Sequence, residues 1–392
     1  MTKAKAQFIP ETPAEITADW LTSVLSNSTT VAASKAVTVQ SVQQQTLGEG
    51  EGFLGDLLRL TPSYAEQDPQ LPTTLIAKLP KLANRTMGEL LGAYERENMF
   101  YMTMADDLPV ATPRMYYGEF DRDAGSEKQL EILQTLDKWP TWTHGAVSKL
   151  GTWIAGRKQR RYILLIEDIA DAAPGDQVTG ANTERASAVL QALAKVHAAY
   201  WRSAELNGHF WLLPLDVDGR MKNAISKRSW PTFQATFPDT LEAGLGAYCD
   251  RAMGAYIEDL NALCEAPETL LHGDMRLDNV FFREHQLVFF DWQLVRRGPA
   301  AYDIAYLLSG GLPADYGSAD SLLDTYHAEL LAAGVTGYSR ADLGRDYELG
   351  LYVVLGSLIS VDQMDLGDDR GIDMMRLWIE RLHARLAACS ST

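Results

Sequence analysis

The sequence predicts an α+β protein with two unequal lobes. Short apolar runs typical of strands dominate the first part of the chain, helical patterns dominate the second, and the change falls near Glu167. With 392 residues, 46% of them apolar, the chain is long enough for two such lobes. We therefore expect an N-terminal lobe over residues 1–167 and a C-terminal lobe over residues 168–392.

The individual elements follow from hydrophobic periodicity. Apolar side chains recur at helical spacing over residues 12–25, 87–104 and 183–201, which predicts three helices. Short apolar runs predict strands at residues 37–42, 57–60, 73–79, 113–120, 162–166 and 287–290. Residues 127–156 fit this scheme poorly, since three tryptophans stand there among prolines and glycines. We expect an insertion or a long loop in that segment.

Composition excludes several classes of protein. Fifty-two acidic residues against 35 basic ones give a formal net charge of -17, which argues against a nucleic-acid partner or a membrane surface. The chain has no apolar run of the length that a membrane span requires, and its first residues do not resemble a secretory signal. Three cysteines without metal-ligand spacing fit a reducing compartment, so a cytoplasmic protein is expected. Composition does not indicate an oligomeric state.

Glycines at positions 50, 52 and 55 lie between two predicted strands. Gly50, Gly52 and Gly55 follow the pattern G-x-G-x-x-G, but a strand follows them where a dinucleotide-binding site would have a helix. No Gly-Lys-Ser or Gly-Lys-Thr completes a Walker A loop. Two interpretations remain open, namely an ordinary hairpin turn and a glycine-rich loop folded over nucleotide phosphates.

A lysine within an apolar strand and a glutamate on a helix form a second candidate pair. Lys78 needs a partner if its strand is buried, and Glu97 is placed on the next predicted helix to supply one. Such a pair would hold the ammonium against nucleotide phosphates. Glu95 is a competing partner on the same helix, and an outward-facing lysine is the alternative for Lys78.

Three acid or amide groups near the last third of the chain carry the strongest signal. Asp274 is followed five positions later by Asn279, and Asp291 ends a short apolar strand. Phosphoryl transfer from a metal nucleotide needs one group to orient the attacking hydroxyl and two oxygen ligands to hold Mg²⁺. We expect Asp274 to orient the hydroxyl, and Asn279 and Asp291 to bind the metal. His272 is expected to be a structural histidine that packs this loop.

The order of these parts resembles that of the aminoglycoside phosphotransferase and choline kinase superfamily, which has a protein-kinase-like fold. Within it the chain resembles most the bacterial phosphotransferases and the ecdysteroid-kinase-like members. The residues that carry the resemblance are His272, Gly273, Asp274, Arg276, Leu277, Asp278, Asn279, Asp291, Trp292, Gln293, Gly298, Pro299, Ala300, Asp303, Ile304, Ala305, Tyr306 and Leu307.

The resemblance implies a role for each candidate. It makes Asp274 the catalytic base, and it makes Lys78 with Glu97 the site that holds the phosphates of ATP. The backbone from Glu167 to Ile169 would bind adenine. Asp303 resembles a buried aspartate that braces the catalytic loop, although a helix-capping acid is an alternative, and His197 corresponds to a packing position. The implied activity is an ATP- and Mg²⁺-dependent transfer of phosphate to a hydroxyl group.

Only eleven residues separate Asp291 from Asp303, which favours a small-molecule acceptor over a peptide. Aromatic residues between positions 204 and 263 suggest an apolar pocket or an amine cage, while ordinary core packing is the alternative. A cationic aminoglycoside would instead need carboxylates near Asp274, for which Asp259 and the acids of residues 362–369 are candidates. A kinase-shaped scaffold without turnover is the remaining alternative.

Overall fold

A computed structural model describes residues 8–31, 36–47, 54–122, 126–157, 160–284, 286–361 and 369–390. The α+β class is confirmed, because an antiparallel sheet occupies the N-terminal part of the chain and helices dominate the rest. No helix in these ranges combines the length and the hydropathy that crossing a membrane requires.

The N-terminal sheet has five antiparallel strands in the order β1-β2-β3-β5-β4. The strands are β1 (Val39–Leu47), β2 (Gly55–Tyr64), β3 (Leu75–Pro80), β4 (Met115–Phe120) and β5 (Tyr162–Glu167). The central strand β3 is buried along its whole length, and helix α1 (Ala18–Asn27) packs its apolar side chains against the sheet. All five predicted strands of this region are present, with β1 longer than expected.

The predicted helix over residues 87–104 consists of two helices. They are α2 (Arg85–Leu91) and α3 (Ala93–Thr103), and Gly92 between them has a φ of 67°. Such a left-handed conformation ends a helix and is accessible to glycine at little steric cost. The break lets α3 take its own direction beside the sheet.

The tryptophan-bearing segment over residues 127–156 is helical within its described residues, so the alternative of a long loop is wrong. It contains α4 (Gln129–Asp137) and α5 (Thr141–Ala155). Helix α5 packs on α2 and also on α7 (Gly219–Thr236) of the C-terminal half. Arg220 of α7 donates a hydrogen bond of 2.9 Å from Nη1 to the carbonyl oxygen of Asp137. The segment therefore joins the two halves of the molecule.

The C-terminal half is mainly helical. Its further helices are α6 (Thr183–Ala199), α8 (Pro238–Thr240), α9 (Gly246–Gly254), α10 (Tyr256–Leu263), α11 (Ala301–Gly311), α12 (Asp320–Ala332), α13 (Arg340–Val361) and α14 (Asp369–Cys389). Its short strands are β6 (Ala173–Pro174), β7 (Glu268–Leu271), β8 (Val280–Arg283), β9 (Gln286–Phe289) and β10 (Arg296–Pro299). The sequence indicated β9 alone among them, through the apolar run over residues 287–290. These short strands hold the loops that form the candidate site.

Candidate active site

Lys78 is buried between two carboxylates. It lies in the middle of β3, opposite Leu57 of β2 and Leu164 of β5. Its Nζ is 2.5 Å from Oε1 of Glu97 on α3 and 2.8 Å from Oδ1 of Asp291. The structure thus brings together three residues that are up to 213 positions apart in the chain.

The electrostatics of this triad keep the lysine charged. Burial alone would lower the pKa of Lys78, but the charges of Asp291 and Glu97 outweigh it and the net shift is upward. Burial raises the pKa of Glu97 to about 7, with Lys78 opposing the shift and Asp291 adding to it. One ammonium between two carboxylates leaves a net negative charge, which suits a site that also binds a cation.

The choice between Glu95 and Glu97 as the partner of Lys78 is resolved by the direction of α3. Glu97 faces Lys78, whereas Oε2 of Glu95 is 2.8 Å from Nη1 of Arg160. Arg160 also binds Glu89, at 2.8 Å. Residues two apart on a helix point in different directions, so only one of the two glutamates can face the lysine.

The loop that carries Asp274 follows β7 and is fixed by a buried carboxylate. Asp303 on α11 accepts hydrogen bonds from the backbone N–H groups of His272, at 2.6 Å, and of Gly273, at 2.9 Å. Gly273 has a φ of +81°, and a Cβ there would collide with the carbonyl oxygen of Leu294. The bracing contact is therefore present, while His197 packs beside Asp303 with its Nδ1 2.8 Å from the hydroxyl of Tyr326.

Replacing Asp303 by alanine is expected to destabilise the protein by about 2 to 6 kcal/mol. The substitution leaves two buried N–H donors without acceptors, and each such donor costs about 1–3 kcal/mol. Urea unfolding followed by tryptophan fluorescence measures the change. Asp324→Ala on α12, whose side chain is 66% exposed, is the matched control. If Asp303→Ala lowered the free energy of unfolding no more than the control does, the bracing role of Asp303 would be contradicted.

Asp274 is enclosed by donors. Nε and Nη2 of Arg276 lie 3.1 Å and 3.3 Å from its two carboxylate oxygens, and the hydroxyl of Tyr306 also donates to it. Burial would raise the pKa of Asp274, but the guanidinium of Arg276 outweighs burial and the pKa is lowered. The carboxylate is therefore ionised at neutral pH, and 14% of its side chain remains exposed.

Asn279 is oriented by the same aspartate. Its Nδ2 donates to the carbonyl oxygen of Asp274 at 2.8 Å and to Oδ2 of Asp274 at 3.2 Å. Both amide hydrogens are thereby directed at Asp274, which leaves the amide oxygen as an available ligand. The β8–β9 hairpin places Asn279 beside the end of β9, where Phe290 N donates to Asn279 O at 2.9 Å.

Asp291 has an unusual backbone. Its φ is 64°, and only one other described residue that is not glycine, Arg202, has a positive φ. Such a conformation is unfavourable for a side chain with a Cβ, and strained residues of this kind concentrate at functional sites. Asp291 is also 23% exposed at the side chain, so its carboxylate contacts Lys78 and remains accessible to solvent.

An aromatic stack connects α3 to this site. The ring of Trp292 lies 4.2 Å from Phe100 of α3 and 4.5 Å from His272, measured between centroids. Nε2 of His272 donates to the carbonyl oxygen of Phe290 at 2.9 Å, which uses its ring in packing and agrees with the structural role expected of it. The helix that carries Glu97 is therefore packed directly on the residues beside Asp274 and Asp291.

The residues present fit a magnesium nucleotide. Asn279 and Asp291 offer hard oxygen atoms, and Mg²⁺ in kinase sites takes one or two such protein ligands together with phosphate oxygens and water. Within the described ranges, no group of three or more His, Cys, Asp or Glu side chains is placed so that it could hold a metal ion.

The structure describes only some of the other residues that the sequence predicts to contact the nucleotide. Gly50 and Gly52 lie outside the described residues, while Gly55 begins β2 close to Lys78 and Gln293. Glu167 ends β5, and its carboxylate lies 3.3 Å from Arg114 and 3.4 Å from Arg283. Ile169 follows as a buried residue.

Two other expectations about substrate binding change with the structure. The candidate aromatics between positions 204 and 263 are Trp211, Trp230, Phe233, Phe237, Tyr248 and Tyr256. All of them except Trp230 and Tyr248 belong to the buried core, which favours ordinary packing over an amine cage. Asp259 is paired with Arg251 at 3.4 Å. Of the other candidate acids, Asp369 begins α14, while Asp362, Asp365 and Asp368 lie outside the described residues.

Arg276 and Tyr306 are among the residues that carry the family resemblance, but sequence reasoning gave neither of them a role, and both contact Asp274 directly. Arg276 stands two residues after Asp274, a spacing at which a cation can reach back to the carboxylate. The contact of Tyr306 with Asp274 was not predictable, because it depends on how α11 packs against the loop.

The fold is of the protein-kinase-like class. The chain belongs to the ecdysteroid kinase-like family, whose sequence pattern matches residues 49–334. No curated protein sequence matches the chain.

Several solved structures are similar to it. One is the GDP and kanamycin complex of APH(2")-IIia, with 15% identity, a TM-score of 0.48, and 88% of this chain and 93% of that chain covered. Another is choline kinase from Cryptosporidium parvum Iowa II, with 11% identity, a TM-score of 0.47, and 89% and 88% covered. A third is a microcompartment-associated aminopropanol kinase, with 13% identity, a TM-score of 0.42, and 92% and 94% covered.

Proposed function

We propose that the protein is a kinase that transfers the γ-phosphoryl group of ATP to a hydroxyl of a small molecule, with Mg²⁺ as cofactor. The observation that carries this proposal is the juxtaposition of two groups of residues. Lys78, Glu97 and Asp291 form one buried ion cluster, and Asp274 with Asn279 forms a hydrogen-bonded pair beside it. This is the set that phosphoryl transfer requires.

Asp274 would orient the acceptor. Its ionised carboxylate accepts a hydrogen bond from the acceptor hydroxyl, whose oxygen then attacks the γ-phosphorus while the bond to the leaving ADP oxygen breaks. The hydroxyl proton passes to Asp274 or to the new phosphate ester. Arg276 lies beside Asp274 and supplies positive charge close to the phosphoryl group being transferred.

Lys78 would bind the α- and β-phosphates, with Glu97 holding the ammonium in position. When bound, Mg²⁺ would neutralise phosphate charge, and Asn279 and Asp291 are the residues that would hold it. We assign adenine contact to the backbone from Glu167 to Ile169, and phosphate cover to the loop containing Gly50, Gly52 and Gly55.

The proposal divides the chain into a nucleotide-binding lobe over residues 1–167 and a catalytic, acceptor-binding lobe over residues 168–392. A cytoplasmic location is part of it. The sequence supports it, because the three cysteines show no metal-ligand spacing and fit a reducing compartment.

A small acceptor is favoured over a peptide by the segment after Asp291. Strand β10 and the start of α11 occupy most of the eleven residues between Asp291 and Asp303. The chain therefore turns back into the core at once, and no extended platform for a peptide forms there.

Incubation with Mg-ATP and a mixed panel of small alcohols, followed by mass spectrometry, tests the activity. We expect at least one acceptor to gain the mass of a phosphoryl group, and none to do so when EDTA removes Mg²⁺. Nucleotide binding without any turnover of ATP would instead favour a kinase-shaped scaffold.

A further inference from the structure

A second charged cluster lies close to the candidate active site. It consists of Lys222 of α7 and Arg296 of β10, which contact the carboxylate of Asp218, together with Arg96 of α3, which is near enough for the charges of Arg296 and Asp218 to act on it; it is called here the cationic cluster. Arg296 binds Asp218 through two nitrogen atoms, at 3.1 Å and 2.9 Å, and Nζ of Lys222 is 3.0 Å from the same carboxylate. Arg96, Asp218 and Arg296 are each at least nine-tenths buried.

The cationic cluster has more positive than negative charge. Three cations lie near the carboxylate of Asp218, and Glu95 offsets part of the charge of Arg96. Glu95 also shares Arg160 with Glu89, and Glu97 binds Lys78, so these cations and Arg160 together still outnumber Asp218, Glu89 and Glu95 by four to three. Asp216, two residues before Asp218, is exposed. The cluster therefore holds an excess of positive charge in a buried place, which is costly unless an anion offsets it.

The guanidinium group of Arg96 has more hydrogen-bond donors than acceptors around it. Its side chain is 2% exposed and donates once, from Nη2 to the carbonyl oxygen of Leu91 at 2.8 Å. Its Nε and Nη1 have no hydrogen-bond partner among the described residues. Burial and the charge of Arg296 also lower the pKa of Arg96 to about 9, and burial and Arg296 lower that of Lys222 to about 8. An anion at this place would accept hydrogen bonds from Arg96 and would oppose the lowering of the pKa of Arg96 and of Lys222.

The cationic cluster is connected to the candidate catalytic aspartate by two tyrosines of α11. Tyr306 donates to Asp274, and Tyr302 lies one helical turn before it, with ring centroids 5.8 Å apart. Tyr302 in turn lies within electrostatic range of Arg296 as well as of Asp274. Lys222 keeps 21% of its side chain exposed, so the cluster is reachable from solvent at that point.

We propose that the cationic cluster binds an anionic oxygen group, a carboxylate or a phosphate, of the acceptor whose hydroxyl is phosphorylated at Asp274. This inference rests on the kinase activity proposed above. It makes the acceptor a hydroxy acid or a phosphorylated alcohol. A polycationic aminoglycoside would be repelled by the same residues.

Sulfate tests the anion site without any turnover. We expect sulfate to raise the melting temperature of the wild-type protein relative to chloride at equal ionic strength, because it binds the folded state. The shift should persist in Lys78→Ala, which removes the phosphate-binding lysine, and should disappear in Lys222→Met. Lys227→Met, an exposed change on the same helix α7, is the matched control and should keep the shift.

Paired acceptors test whether the anion belongs to the substrate. Hydroxy acids and alcohol phosphates are compared with their neutral amides or methyl esters in the Mg-ATP assay, with products detected by mass. We expect the charged member of a pair to be the better acceptor by about tenfold or more, since one charge-assisted hydrogen bond carries that much affinity. In Lys222→Met the KM for the charged acceptor should rise, and in Lys222→Arg this KM should return to near the wild-type value.

The outcomes separate the two proposals. Phosphorylation of neutral and charged partners with equal efficiency, or a sulfate shift that survives in Lys222→Met, would overturn the anion site while leaving the kinase intact. Absence of any phosphorylated product would overturn the kinase for this panel, and the sulfate titration would still decide whether the cationic cluster binds an anion.

Discussion

Asp274→Asn is expected to lower the turnover number at least about a hundredfold, on the scale of general-base contributions. The amide keeps the size of the side chain, but it can neither accept a proton from the acceptor nor carry the negative charge that Arg276 and Tyr306 stabilise. Binding of Mg-ATP should stay near that of the wild type, because Lys78, Glu97 and Asp291 are unchanged.

Coupled ADP release and calorimetric titration of Mg-ATP measure the two quantities separately. Asp324→Asn makes the same chemical change at an exposed ion pair on α12 and should leave both unaffected. If Asp274→Asn kept full turnover, the role assigned to the loop after β7 would be wrong.

Asp291→Ala should weaken Mg-ATP binding by about tenfold or more, the loss expected when a charged contact is removed. The carboxylate is both the partner of Lys78 and the proposed metal ligand, so the remaining affinity should depend little on Mg²⁺. Titrations with and without Mg²⁺ measure this. Retained Mg²⁺ dependence would exclude Asp291 as a ligand.

Asp291→Gly separates binding from backbone strain. Asp291→Gly and Asp291→Ala both remove the carboxylate. Glycine adopts the φ of 64° without the steric cost that alanine meets there, which is about 1–2 kcal/mol. The glycine variant should therefore be more stable to urea than the alanine variant by about 1 kcal/mol, with the same loss of Mg-ATP binding. Equal stabilities would mean that the strain is absent.

Local sequence patterns were sufficient to predict much of the fold. The strands of the N-terminal sheet were predictable because each carries a run of apolar residues, and Lys78 was conspicuous as a charge within such a run. Helical geometry narrowed its partner to Glu95 or Glu97, and only the direction of α3 decides between them. The helices at residues 129–155 were missed because exposed tryptophans obscure their helical periodicity.

Pairings over long separations were not predictable. Arg296 and Asp218 are 78 positions apart and follow no motif, so the cationic cluster is visible only once α7 lies against β10. The same holds for Arg160, which binds Glu89 and Glu95 although both residues are distant from it in the sequence. A single chain indicates which residues are unusual, but not which distant residue meets them.

The contact between Asp137 and Arg220 bears on how the cleft can open. Two bodies joined by one flexible connection can swing apart widely, whereas two bodies joined at separate places can turn only about the line through both. Here the backbone after β5 is one junction, and the packing of α5 on α7 with the Asp137–Arg220 hydrogen bond is the other. Opening of the cleft is thus confined to rotation about the line through these two junctions.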